Sequence, residues 1–87
     1  MSLKFEYLGG NCPVQAEGKF DDLDFYFRAR GQYWSITISD PTTLKTVIEM
    51  RMLYCEDDYG AGWMPRNEAF IIIVSTYFKW KRNMLPH

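Results

Sequence analysis

A chain of 87 residues makes one domain and leaves no room for a second. Apolar residues make up 47% of it and aromatics 17%, enough for a single core without a disulfide or a metal. Ten basic against eleven acidic side chains give a net charge of −1, which argues against a domain whose main task is gripping phosphates.

The N-terminal M-S-L-K-F-E-Y-L lacks the long apolar run of a signal peptide. No segment approaches the roughly 20 apolar residues of a membrane span. A cytoplasmic protein that does not contact the membrane is expected. L-K-F-E-Y at residues 3–7 alternates and reads as a first strand, which Gly9-Gly10-Asn11 breaks.

Residues 14–38 read as two abutting hairpins whose alternation stays in phase across both turns. One apolar set runs Val14, Ala16, Gly18, Phe20, then Leu23, Phe25, Phe27, Ala29, then Trp34, Ile36, Ile38. Side chains of a strand alternate faces with period two, so this is a sheet with one buried face. A two-residue turn at Asp21-Asp22 sets Phe20 against Leu23, Gly18 against Phe25, Ala16 against Phe27 and Val14 against Ala29. Large residues then face small ones, and Lys19 meets Asp24 on the other face. Aspartate tolerates the positive φ such a turn requires. The second turn reads best as Gly31-Gln32, pairing Arg30 with Tyr33. A turn at Arg30-Gly31 would ask arginine for positive φ. Phe25, Phe27, Trp34 and Ile36 are expected to be almost wholly buried under a helix.

S-D-P-T-T after the fourth strand is turn-rich. Residues 46–54 allow two readings. As a strand they place Ile48, Met50, Met52 and Tyr54 on one face and Glu49 and Arg51 on the other. As a helix they would start with Asp40 as cap and Pro41 in the first turn, stacking Leu44, Val47, Ile48 and Arg51. The β-branched, alternating part falls after Lys45, which favours the strand.

Residues 65–83 form the clearest helix. Pro65 suits the first helical position, Glu68 complements the N-terminus, and Lys79, Lys81 and Arg82 complement the C-terminus. Its polar arc holds only Arg82, Ser75, Glu68 and Lys79. Apolar residues spread over roughly 250° of the circumference, where one sheet face needs little more than about 100°. Another element of the chain or a partner must cover the excess. Ile71, Val74 and Phe78 recur at i, i+3 and i+7 as a candidate helix–helix seam, and a homodimer is expected.

Cys12 and Cys55 lie far apart and are expected to be free thiols in a reducing compartment. A disulfide would require the fold to bring them together. No C-x-x-C or H-x-x-x-H spacing supports a metal site, and no cofactor is implied. Cys12 in G-G-N-C-P invites a nucleophilic reading, but a thiolate needs a base, and the only histidine is the terminal His87. A half-buried loop thiol is the plainer reading.

The outward sheet face carries Tyr26, Arg28, Arg30 and Tyr33, with Lys19 nearby. Aromatics interleaved with arginines resemble a stacking platform for single strands. Glu17 and Asp24 on the same face, and the acidic balance of the chain, disfavour nucleic acid and favour solvated cross-strand pairs. Cys55-Glu56-Asp57-Asp58 lacks the alternating ligands of a calcium loop and reads as a solvated turn. Gly60-Ala61-Gly62 before the helix, with Arg66 in its first turn, offers free N–H groups to an anion, but the G-K-[S/T] of a P-loop is missing. The plainer reading is a tight turn into the helix. Y-F-K-W-K-R at residues 77–82 could touch a membrane or nucleic acid, though aromatics at helical spacing are more often core.

The segments G-G-N-C-P-V-Q-A-E-G, F-Y-F-R-A-R-G-Q-Y-W-S-I and A-G-W-M-P-R-N-E-A resemble a family of small uncharacterised bacterial proteins of mobile elements, including phage-like regions and integron gene cassettes. The resemblance covers the first half of the chain and the loop into the last helix; residues 39–59 fall outside it. It implies a small accessory protein and carries over no catalytic residues.

The expectation is therefore an α+β domain, an antiparallel meander of four or five strands packed on a C-terminal helix. Its expected role is that of a non-enzymatic protein-binding or adaptor module that self-associates. The alternative is a sheet that binds single-stranded nucleic acid.

Overall fold

The structure, a computed structural model, describes residues 2–84. Five strands form one antiparallel sheet in chain order: β1 (Leu3–Gly9), β2 (Val14–Phe20), β3 (Leu23–Arg30), β4 (Tyr33–Ser39) and β5 (Thr46–Leu53). A 3₁₀ turn (Gly60–Trp63) leads into the helix α1 (Arg66–Met84). The fold is α+β, with the helix on one face of the meander.

Both hairpin registers follow the alternation. Phe20 pairs with Leu23, Gly18 with Phe25, Lys19 with Asp24, and Arg30 with Tyr33. Asp21 and Gly31 supply the positive φ values, 55° and 63°, that the two tight turns need. Gly18 serves a second purpose. A Cβ there would lie 1.9 Å from the carbonyl oxygen of Lys4, so β1 can cross closely only over a glycine. β1 slips register between Phe5 and Tyr7 just beyond this approach.

Residues 46–54 resolve in favour of the strand. Ile48, Met50 and Met52 pair with Ile38, Ile36 and Trp34, which puts them on the inner face. Asp40 and Pro41 do begin a turn of helical type, but it reverses at once. The Asp40 carboxylate accepts from the Thr42 N–H (2.8 Å), and the Asp40 N–H donates to the Lys45 carbonyl (2.9 Å), closing the β4–β5 connection.

The inner face is buried as the alternation requires. Val14, Ala16, Phe20, Phe25, Phe27, Ala29, Ile36 and Ile38 are all buried. The helix contributes Ala69, Ile73, Thr76, Tyr77 and Trp80, a stripe at i, i+4, i+7, i+8 and i+11. Thr76 tolerates burial because its hydroxyl donates to the Ile72 carbonyl (2.8 Å). Ala61 and Met64, read from sequence only as part of a turn, are core residues as well. Pro65 stands just before the helix, its carbonyl accepting from the Glu68 and Ala69 N–H groups (3.1 and 3.0 Å). This is one position earlier than expected.

Trp34 departs from expectation: it is only half-buried. The helix does not lie centrally on the sheet. Tyr77 and Trp80 pack on Phe20 (5.1 and 5.7 Å between ring centres), and Phe70 stacks on Phe5 (5.2 Å). Those contacts draw α1 over β1 and β2, and Trp34 on β4, stacked on the Phe27 ring (5.9 Å), is left partly uncovered by the helix.

Asp21 ties both ends of the chain to the β2–β3 turn. It accepts from the Ser2 N–H (2.8 Å) and the Tyr77 hydroxyl (2.7 Å), and it forms an ion pair with Lys81. The Lys81 hydrogen bond, then that from Ser2, holds the Asp21 carboxyl down at about 2. Burial, followed by the Asp21 contact, pushes the Tyr77 hydroxyl up to about 12. At the other end of the helix the Tyr54 hydroxyl donates to Glu68 (2.7 Å).

Two outcomes are expected. Phe27→Ala should destabilise by about 3–5 kcal/mol through the cavity it leaves, read as a lowered denaturation midpoint. Asp21 ionises more readily folded than unfolded, so its contribution is complete above about pH 4 and fades as pH falls towards 2. Asp21→Asn keeps the turn geometry and should flatten that acid limb in a pH series of thermal melts.

Candidate functional site

The offset helix leaves Trp34 and the inner side of β5 partly open. Between α1 and strands β4 and β5 lies a cleft of ≈ 220 Å³, lined by Trp34, Met50 and Met52 on the sheet and Ile71, Ile72 and Ser75 among others on the helix. Met52 and Ile71 are 49% and 60% exposed, a large fraction for side chains on apolar faces. Thioether side chains adapt to irregular partners, and Met-rich clefts recur at binding surfaces.

The expected seam runs along the outer side of the helix. Ile71 borders the cleft. At 100° per residue Phe78 lies within about 20° of Ile71, and Val74 about 60° away, on the side towards Phe70. Phe78 is 58% exposed and Val74 half-buried. Residues 46–54 sit at the sheet edge and do not cover the helix flank, so the apolar excess of α1 stays uncovered within the chain.

The outward face assembles the other candidate residues. The register lines up Gln15, Arg28, Ser35 and Arg51 in one row across the sheet, with Arg30, Tyr33 and Leu53 in the next. Arg28, Arg30, Tyr33 and Arg51 line one shallow depression, with Glu49 at its side. Among the described residues none of these three arginines has a carboxylate within 4.0 Å. The Arg51 guanidinium lies over the Tyr33 ring, 3.9 Å from its centre, and occupies that face of the ring. The Tyr26 hydroxyl accepts from the Gln15 amide (2.9 Å). Lys19 and Asp24 form the expected ion pair. Arg51 was missing from the sequence-derived set, although the strand reading of residues 46–54 had already put it on the outward side.

The loop before the helix is used for structure. The N–H groups of Gly60, Ala61 and Gly62 donate to the carbonyls of Asp57 (3.3 Å), Gly31 (2.9 Å) and Tyr59 (3.1 Å), so none of the three is free for an anion. Gln32 carries the acidic turn, its amide donating to the Glu56 carbonyl (3.0 Å) and to Asp58 (3.4 Å). Asp57 accepts from the Tyr59 N–H (3.2 Å). Glu56, Asp57 and Asp58 thus close a turn, and no group of three or more metal-ligating side chains occurs among the described residues.

Cys12 is exposed and Cys55 half-buried, and both are free thiols. Each sits against a glycine of the 3₁₀ turn, Cys12 beside Gly62 and Cys55 beside Gly60. Cys55 donates weakly to the Asp57 carbonyl (3.3 Å). His87, the only histidine, lies outside the described residues. Among the described residues no helix is long and apolar enough to cross a membrane. Trp80, within the 77–82 segment, is core, while Phe78 and Lys79 face solvent.

No protein-family model, curated protein or solved structure matches this chain.

Cys12→Ser and Cys55→Ser should leave the denaturation midpoint in reducing buffer nearly unchanged, since serine keeps the size and the donor of each thiol. Stoichiometric zinc in protein purified without added metal would contradict this assignment.

Proposed function

We propose that the protein is a non-enzymatic protein-binding module that acts as a homodimer. One observation carries this reading: the open apolar cleft between α1 and the β4–β5 half of the sheet, continuous with an exposed edge strand. Exposed apolar surface that is contiguous, concave and rimmed by polar groups marks an interaction site. Ser75 and Lys79 supply the rim. A small accessory protein, the role implied by the family resemblance, would work through such a surface.

A second reading draws on the three arginines of the outward face. Their guanidinium groups are free of carboxylates and could hold the backbone of a single-stranded nucleic acid. Arg51 takes one face of Tyr33, which leaves Tyr26 as the freer stacking surface. Binding of a short oligonucleotide that weakens steeply with salt supports this reading, and salt-insensitive or absent binding removes it.

Wild-type protein should sediment and scatter light as a dimer at micromolar concentration. Met50→Glu, on β5 and lining the cleft, should shift it to monomer, because burying a lone carboxylate there costs more than the contact gains. Phe78→Glu tests the outer side of the helix and should leave the dimer intact if that side takes no part in the interface. A wild-type monomer across the micromolar range would overturn self-association.

A further inference from the structure

We propose, building on the self-association reading, that two copies join along β5 in one register. The strands run antiparallel about a twofold axis normal to the sheet. Met50 faces the partner's Met50, and Glu49 faces the partner's Arg51.

β5 is the last strand of the sheet, and its outer edge pairs with no strand among the described residues. It is eight residues long and contains no proline, glycine or lysine. Apart from the half-buried Ile48, every residue in it is exposed. Monomeric proteins usually blunt such an edge by shortening it, bulging it or charging it. The two edges differ in where they are interrupted: β1 carries its register shift in the middle, between Phe5 and Tyr7, with Lys4 and Glu6 exposed, whereas the shift of β5 lies at its start, at Val47, and leaves residues 48–53 regularly paired with β4. A regular free edge is a template for pairing, and an identical strand is the simplest partner.

The register follows from pleat and charge. Residues that face one another across an antiparallel pair share a sheet face, so a twofold normal to the sheet must pass through a residue and its own copy. Centred on Glu49, the strands would set two glutamates against each other. Centred on Arg51, they would oppose two arginines. Centres further out shorten the overlap and, within β5, give neither charge an opposite one. Centred on Met50, Glu49 meets the partner's Arg51 twice by symmetry, and Ile48 meets the partner's Met52.

The two charges are also free to pair. Among the described residues neither Glu49 nor Arg51 has an ion-pair partner, and the Arg51 guanidinium lies over the Tyr33 ring. Within the chain they face Thr37 and Ser35.

This pairing also completes the cleft. A twofold normal to the sheet keeps both helices on one side. Met50, Met52 and Trp34 of both copies then line a single trough walled by Ile71 and Ile72 of each.

Cysteine cross-linking reads the centre directly. In a Cys12→Ser/Cys55→Ser background, Met50→Cys, Glu49→Cys and Arg51→Cys are each oxidised mildly. Only the residue on the axis faces its own copy, at about 4.5–5.5 Å between Cα atoms, within disulfide reach. Met50→Cys should give a disulfide-linked dimer about tenfold faster than the other two. Faster linkage through Glu49→Cys or Arg51→Cys overturns the register. A dimer by light scattering with no linkage at any of the three sites overturns β5 pairing and leaves self-association standing; a monomer overturns both. Charge exchange gives an independent check on the outer face. Glu49→Arg alone and Arg51→Glu alone should each weaken the dimer about tenfold, and the double exchange should restore it. A double exchange as weak as the singles overturns the register.

Discussion

Phe20 is the contact on which the architecture turns. It ends β2, and its ring meets Phe25 within the sheet (4.8 Å) and Tyr77 and Trp80 from the helix (5.1 and 5.7 Å). Tilted and edge-on aromatic contacts of this kind bury large areas and add directional attraction. Because Phe20 sits towards one side of a five-stranded sheet, the helix that binds it cannot cover the other side. The open cleft at Trp34, Met50 and Met52 follows from where this cluster lies.

Polar ties secure the same placement at both helix ends. The Asp21 carboxylate binds Tyr77 and Lys81 near the C-terminal end, and Tyr54 binds Glu68 near the start. The hydrogen bond from Tyr54 to Glu68, with burial behind it, pushes that tyrosine up to about 12. Both ties use residues at strand ends, where the backbone already turns. Between them, the Gly31-Gln32 turn holds the connection that leads to the helix: the Gln32 carbonyl accepts from Tyr54 (2.7 Å) and Cys55 (3.3 Å), and the Gly31 carbonyl accepts from Ala61 (2.9 Å). The loop that invited an anion-binding reading has spent its donors on this clasp.

The two sheet faces offer different chemistry. The inner half-face is apolar and concave, suited to a protein surface. The outer face is polar, with opposite charges paired at Lys19 and Asp24 and, at the other end, three arginines that form no ion pair among the described residues. β5 borders both. It brings Met50 and Met52 to the cleft and Arg51 to the arginine cluster, so the strand that was hardest to assign from sequence bears on each candidate function. Its proposed self-pairing would use both faces at once, methionines on one side and opposite charges on the other.

Much of this fold was legible in the sequence. Period-two alternation across two tight turns set the registers of β2, β3 and β4, because a one-residue slip would reverse every side chain. The large-against-small pairs such as Gly18 with Phe25 followed from the same rule. The apolar excess of α1 was legible too, since helical periodicity counts circumference without knowing the partner. Three things only tertiary structure decided. Residues 46–54 became a strand because β4 offered a free edge and Asp40 closed the turn towards it. Trp34 stayed half-buried because the helix position depends on distant aromatic contacts that no local pattern encodes. Ala61 and Met64 became core because a loop clasped by Gly31 carries them onto the sheet, and burial of irregular backbone has no periodicity to read.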